Sequence, residues 1–217
     1  MTMVDDIAVL AFNDETGRNR AAHLGMVLAA SALAELVLQE RIDVDTSGRI
    51  NVVSAVPTRD HVLDELLQRL GRDRPRKAKS LVRRLSRGLK RTVLPALVER
   101  RVLTHERGSV LGLFPLNRYR PADPRRTADL RSGLAEVAAG QPVADARTAA
   151  LVGIVWGGGM YKAAMPGHGR LATGKVFKAF VKGPSVSEAA RQVSTGLRKA
   201  ISDANAAAAN AGGGGGG

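Results

Sequence analysis

Fifteen residues from Leu24 to Leu38 carry one charge, Glu35, and nothing else in the chain is as apolar for as long. A bilayer span needs about 20 consecutive apolar residues, so the run is too short to cross a membrane. Across Ala21 to Glu40 the spacing is helical, through Leu24, Leu28, Ser31/Ala32, Glu35/Leu36 and Leu38. Its alanine-rich small positions suit close packing against other helices. With 217 residues, 44% of them hydrophobic, the chain can bury such a helix in a single core. One globular domain is the expectation, and a disordered basic tail is excluded.

The remaining elements follow from periodicity and turn chemistry. Asp6 to Phe12 alternates weakly and ends in the turn signal Asn13-Asp14-Glu15-Thr16-Gly17, with a polar loop to Arg20. Arg41–Asp45 and Arg49–Val53 are short alternating runs about a Thr-Ser-Gly turn, which predicts a β-hairpin. A helix opens at Pro57-Thr58-Arg59-Asp60 and runs to Leu70, with acids early where the macrodipole favours them. Gly71–Ser80 reads as a charged linker. Further helices are predicted at Thr127–Ala139, Ala144–Trp156, Gly174–Val181 and Ser185–Ala204, with Gly157–Gly159 as a helix stop. The fold class is mainly α: a single-domain helical bundle over 1–204 with one or two short β-hairpins. Residues 205–217, alanine-rich and then all glycine, read as a disordered tail.

Charge is concentrated. Between Arg69 and Arg91 lie eleven Lys or Arg and one acid, Asp73, a local +10 out of a net +13. Such a field attracts phosphate-rich partners, either nucleic acid or an anionic lipid leaflet. Within it Leu81, Leu85, Leu89 and Val93 recur at four-residue spacing. An unbroken helical projection places these and Val82 on one face, with Arg83, Arg84, Arg87, Lys90 and Arg91 opposite. No acid sits at i±4 to offset the repulsion, which predicts an anion-binding face. Pro95 interrupts this helix, kinking it or starting a new turn.

Val110-Leu111-Gly112-Leu113-Phe114-Pro115-Leu116 follows, flanked by Arg107, Arg118 and Arg120. An apolar hairpin beside a basic helix gives the two signals that peripheral membrane binding requires. Leu111, Leu113, Phe114 and Leu116 are the residues expected to insert, each contributing up to about 1.5–3 kcal/mol. The cations add on the order of 1 kcal/mol each near an anionic surface.

In order along the chain, several segments resemble the Golgi phosphoprotein 3 family, which includes actinobacterial members. They are Asn13–Gly17, Leu33-Ala34-Glu35-Leu36 with Arg41–Val44, Pro57-Thr58 with Leu63-Asp64-Glu65, and Leu97–Arg100 with Val102–Thr104. Leu113-Phe114-Pro115 and Arg147–Leu151 complete the series. The resemblance implies a helical fold, recognition of phosphatidylinositol 4-phosphate by basic residues, a hairpin that enters the membrane, and binding of cytoplasmic cargo tails. Two family headgroup cations map onto Arg87 and Lys90. A third maps near Ala29, and the family's aromatic headgroup partner maps near Arg20, itself a cation and therefore kept as a candidate. Arg59 and Pro95 stand where the family more often has Gly and a helix former. The expectation is a cytoplasmic protein peripherally bound to anionic phospholipid, with cargo tails and a second copy through the hairpin as further partners.

Rival readings are weaker. A winged-helix DNA binder could use the same basic helix and hairpin, but that helix lacks the Asn/Gln/Ser variety that reads base edges. RNA stacking is disfavoured because aromatics are 3% and none interleaves with the cations. Gly169–Val176 has phosphate-loop spacing, but Val176 replaces the magnesium-binding Ser/Thr and no apolar strand precedes it; a flexible glycine loop explains it. Absence of cysteine removes disulfides, thiol nucleophiles and zinc ribbons. His23, His61, His105 and His168 lack metal-ligand spacing, and no nucleophile elbow or inward-facing carboxylate pair is evident. No enzyme, metal or cofactor is expected. Asp5 and Asp6 occupy the place where a secretory signal would carry positive charge.

Overall fold

A computed structural model describes residues 1–45, 47–110, 114–142, 145–184 and 186–212. Nine helices and two small antiparallel sheets form one mainly α domain among these residues. The apolar run is the hub: α2 (Leu24–Leu38) touches α1 (Met3–Ala11), α4 (Ala78–Glu99), α6 (Ala146–Gly158) and α9 (Glu188–Gly212). Its alanines at 29, 30, 32 and 34 are at most 1% exposed, which lets four neighbours approach.

The first helix has no visible period because it has no outer face. All nine residues of α1 are buried, so the weak alternation over Asp6–Phe12 belongs to a helix. The local signal is its capping box: Thr2 Oγ1 accepts from the Asp5 N–H and Asp5 Oδ2 accepts from the Thr2 N–H at 2.7 Å. The hairpin at 41–53 forms as β1 (Ile42–Val44) and β2 (Arg49–Val52), paired Ile42 to Val52. β3 (Arg76–Lys77), from the segment read as a linker, adds beside β2.

α3 (His61–Arg72) is capped by Asp60, which accepts from the Val62 and Leu63 N–H groups. Arg59, just before the cap, has φ +65° and is exposed. A side chain in the left-handed region costs about 1–2 kcal/mol, which glycine avoids. Arg59→Gly is therefore expected to leave stability unchanged or raise it by up to about 1 kcal/mol, where glycine elsewhere would lower it. Chemical denaturation of the two proteins checks the sign.

α4 runs through the exposed Pro95 without breaking there, and its non-helical backbone lies instead at Arg87 and Gly88. Ser86 beside Gly88 is a combination that commonly kinks a helix. The break turns the apolar stripe. Ahead of it Leu81, Val82 and Leu85 are buried; after it Val93, Leu94 and Leu97 are buried, while Leu89 is only half-buried. An unbroken projection would have put Leu94 among the cations.

β4 (Leu103–Val110) and β5 (Phe114–Pro121) pair in register from Leu103–Pro121 out to Val110–Phe114. The base is anchored, with Leu103 at 1% exposure and Tyr119 packed against the core, while Glu106 through Ser109 are all exposed. The turn at 13–17 braces it: Gly17, at φ +64°, accepts from the Tyr119 N–H at 2.9 Å, and a Cβ on Gly17 would come within 2.9 Å of Arg118 Cβ.

α5 (Pro124–Ala138) and α6 match the predicted helices, and α6 ends on the left-handed Gly159. A short α7 (Tyr161–Ala164), unseen in the sequence, precedes α8 (Arg170–Lys182). Gly169 is the N-cap of α8, so the glycine-spaced segment is a helix start rather than a flexible loop. α9 continues to Gly212 and so includes the alanine-rich stretch that composition assigned to a disordered tail.

Inward-facing carboxylates do exist, contrary to the sequence reading. Asp5, Asp6 and Glu35 are 0%, 1% and 4% exposed. Arg100 bridges Asp5 and Asp60 at 2.7 Å each. Arg147 reaches Asp6 at 2.7 Å and Glu35 at 3.2 Å, and Arg126 also pairs with Asp6. Burial opposes the Arg147 charge, but Asp6 and Glu35 outweigh it and hold its pKa above the ordinary arginine value. These ion pairs tie α1 to α2, α5, α6 and the end of α4.

Candidate functional site

The five cations predicted on the outer face of α4 are all exposed. Arg84 is not free: it pairs with Asp73 at 2.8 Å. Arg83, Arg87, Lys90 and Arg91 have no ion pair among the described residues. The face is thus cationic over most of its length, and the break at Arg87–Gly88 divides it.

Lys90 lines a cleft. About 300 Å³ in volume, the cleft is bounded by Ser86 and Lys90 from α4, by Asn19 from the loop ahead of α2, and by His23, Gly25 and Met26 at the start of α2. No carboxylate lines it. The opening turn of a helix leaves N–H groups without intrahelical partners and carries partial positive charge. His23, the N-cap, makes no side-chain cap hydrogen bond, and no acid occupies the first turn of α2. Its Nε2 instead meets Asn205 Oδ1 of α9 at 2.9 Å. The Ser86 hydroxyl donates to the Arg83 carbonyl at 2.9 Å, so an oxyanion in this space would face chiefly the Lys90 ammonium and the helix amino end, a recognised means of holding phosphate.

Close approach of α2 and α4 makes the cleft. A Cβ on Gly25 would lie 2.9 Å from the carbonyl oxygen of Ser86, inside normal contact distance. Gly25→Ala is accordingly expected to destabilise by about 1–3 kcal/mol through displaced backbone, despite alanine's better helix propensity. Thermal unfolding checks this, with a gain in melting temperature as the contrary result.

The other candidates separate from this cleft. Ala29 is fully buried in α2 and presents nothing outward. Arg20 lines a different cleft, with Lys162 and His168. Leu111 and Leu113 lie outside the described residues, as does the Phe114 side chain; Leu116 is half-buried, opposite Gly108. His23, Gly25 and Ser86 were missed because no short-range pattern joins residues so far apart in sequence. Among the described residues no helix is long and apolar enough to cross a membrane, and no group of His, Cys, Asp and Glu could hold a metal ion.

Fold and cleft together define a mainly helical single-domain protein with a cationic surface pocket and a long β-hairpin. The chain belongs to the Golgi phosphoprotein 3 (GPP34) family, whose model matches residues 3–202. No curated relative matches the chain.

Proposed function

We propose that this protein binds the cytoplasmic face of membranes peripherally, by docking anionic phospholipid, with phosphoinositide as the headgroup class, and acts by binding rather than by catalysis. The observation that carries the reading is the carboxylate-free cleft in which Lys90 and Ser86 meet the amino end of α2. Lys90 contacts phosphate there, while Arg83, Arg87 and Arg91 supply field from the same helix. The exposed outer part of β4 and the apolar sequence that follows it support a second, apolar contact. Arg20 contributes from the adjoining cleft rather than from the Lys90 cleft. Membership of the family supports lipid over duplex DNA, as does a face composed of phosphate-type contacts alone.

Vesicle flotation tests the proposal. The protein should float with vesicles containing phosphatidylserine or phosphatidylinositol 4-phosphate and stay behind with pure phosphatidylcholine. It should be released as salt rises from about 0.1 M to about 1 M, where screening length falls from about 10 Å to about 3 Å. Equal recovery on neutral and acidic vesicles would sink the reading, and tight binding to duplex DNA without flotation would replace it.

A further inference from the structure

A second charged cleft, of about 430 Å³, adjoins the first across the Asn19–Arg20 pair, since Asn19 lines one and Arg20 the other. Its lining comprises Arg20, Lys162, Met165, Pro166, Gly167 and His168, with no carboxylate. None of its cations has an ion pair among the described residues. Just past it stands Leu171, 83% exposed, the most exposed large apolar side chain among the described residues. Leu171 is flanked in the chain by the exposed Arg170 and, one turn on, Lys175. Every residue from Pro166 to Ala172 is exposed.

An isolated exposed leucine is ordinary. A leucine at the start of a helix, three residues past His168 of an acid-free cationic cleft and flanked in the chain by Arg170 and Lys175, is a combination suited to a phospholipid interface. There the cations meet phosphates while the apolar side chain passes below them. Soluble anions would use the cleft but give Leu171 nothing; a protein partner would need acidic groups around an apolar pocket, whereas a lipid leaflet supplies both at any point.

We infer that the α7–α8 segment is a second membrane-contact element, in which Arg20, Lys162 and His168 hold the phosphate of an anionic phospholipid and Leu171 enters the acyl region. The inference rests on the membrane reading given above, and extends the docking surface from α4 and the hairpin to a third, separate part of the chain. The two phosphate clefts share only the Asn19–Arg20 step of the chain, so that the protein engages two lipids rather than one headgroup.

The chain has no cysteine, so a single Leu171→Cys substitution carries one polarity-sensitive fluorophore without background. With phosphatidylcholine–phosphatidylserine vesicles, the label should shift to the blue and brighten, and with phosphatidylcholine alone it should stay as in water. In parallel, the exposed pair Lys162→Glu/Leu171→Ser should lower partitioning onto the acidic vesicles by about tenfold or more. A label that remains in water while unlabelled wild type floats, or a double variant that partitions like wild type, overturns the inference and leaves the α4 cleft standing. Wild type that does not float on acidic vesicles overturns both.

Discussion

Reversing two charges at the α4 break, Arg87→Glu with Lys90→Glu, should lower partitioning onto acidic vesicles by roughly a thousandfold. Each cation near an anionic surface is worth on the order of 1 kcal/mol, and reversal replaces an attraction by a repulsion, so two positions give about 4 kcal/mol. Both side chains are exposed and without ion pairs among the described residues, so the folded state should tolerate the change. Arg84→Glu is the internal comparison. Asp73 already neutralises Arg84 at 2.8 Å, so this reversal should cost far less binding while setting two acids against each other. Isothermal partitioning at low salt measures all three proteins, and a double variant that binds within threefold of wild type would remove α4 from the lipid-binding surface.

The largest expected effect on stability lies far from that face. Arg147→Met should destabilise the fold by about 3–5 kcal/mol, because it leaves Asp6 and Glu35 buried with one cation fewer between them. For a chain of this length that is a fall in melting temperature of roughly 6–20 °C. Arg131→Ala provides the contrast. Arg131 also makes an ion pair, at 2.5 Å to Asp14, but that carboxylate is 40% exposed and its loss should cost no more than about 1 kcal/mol. Calorimetry on the two variants separates burial from mere pairing; equal losses would mean that burial of Asp6 and Glu35 contributes nothing.

The helices and the first hairpin were legible because their apolar residues recur with a period and their ends carry turn chemistry. α1 was not, since a helix buried on every side has no contrast between faces. Neither was the break in α4: Pro95 was the obvious candidate, yet an exposed proline was accommodated while Ser86–Gly88 gave way where α2 presses against it. The site divides in the same manner. Cations on one helix could be counted from spacing, but their union with His23 and Gly25 depends on tertiary contact. The segments that carry the family resemblance are mostly structural. Glu35, Arg100 and Arg147 form the buried ion pairs, Asn13–Gly17 braces the hairpin, and Thr58 donates to Asp64 at 2.7 Å ahead of α3. Their order along the chain thus records how the bundle is bolted together more than what it binds.

That bolting bears on how Lys90 would meet a ligand. α4 is held on either side of Lys90: Ser86, just ahead of the break, lies against Gly25, and Arg100, the C-cap, is gripped by Asp5 and Asp60. A lysine on a mount held at both ends has only its own side-chain rotors to surrender when phosphate arrives, about 2 kcal/mol at most. On the proposed membrane reading, rigidity in the scaffold would lengthen residence on the bilayer without any added contact to the lipid.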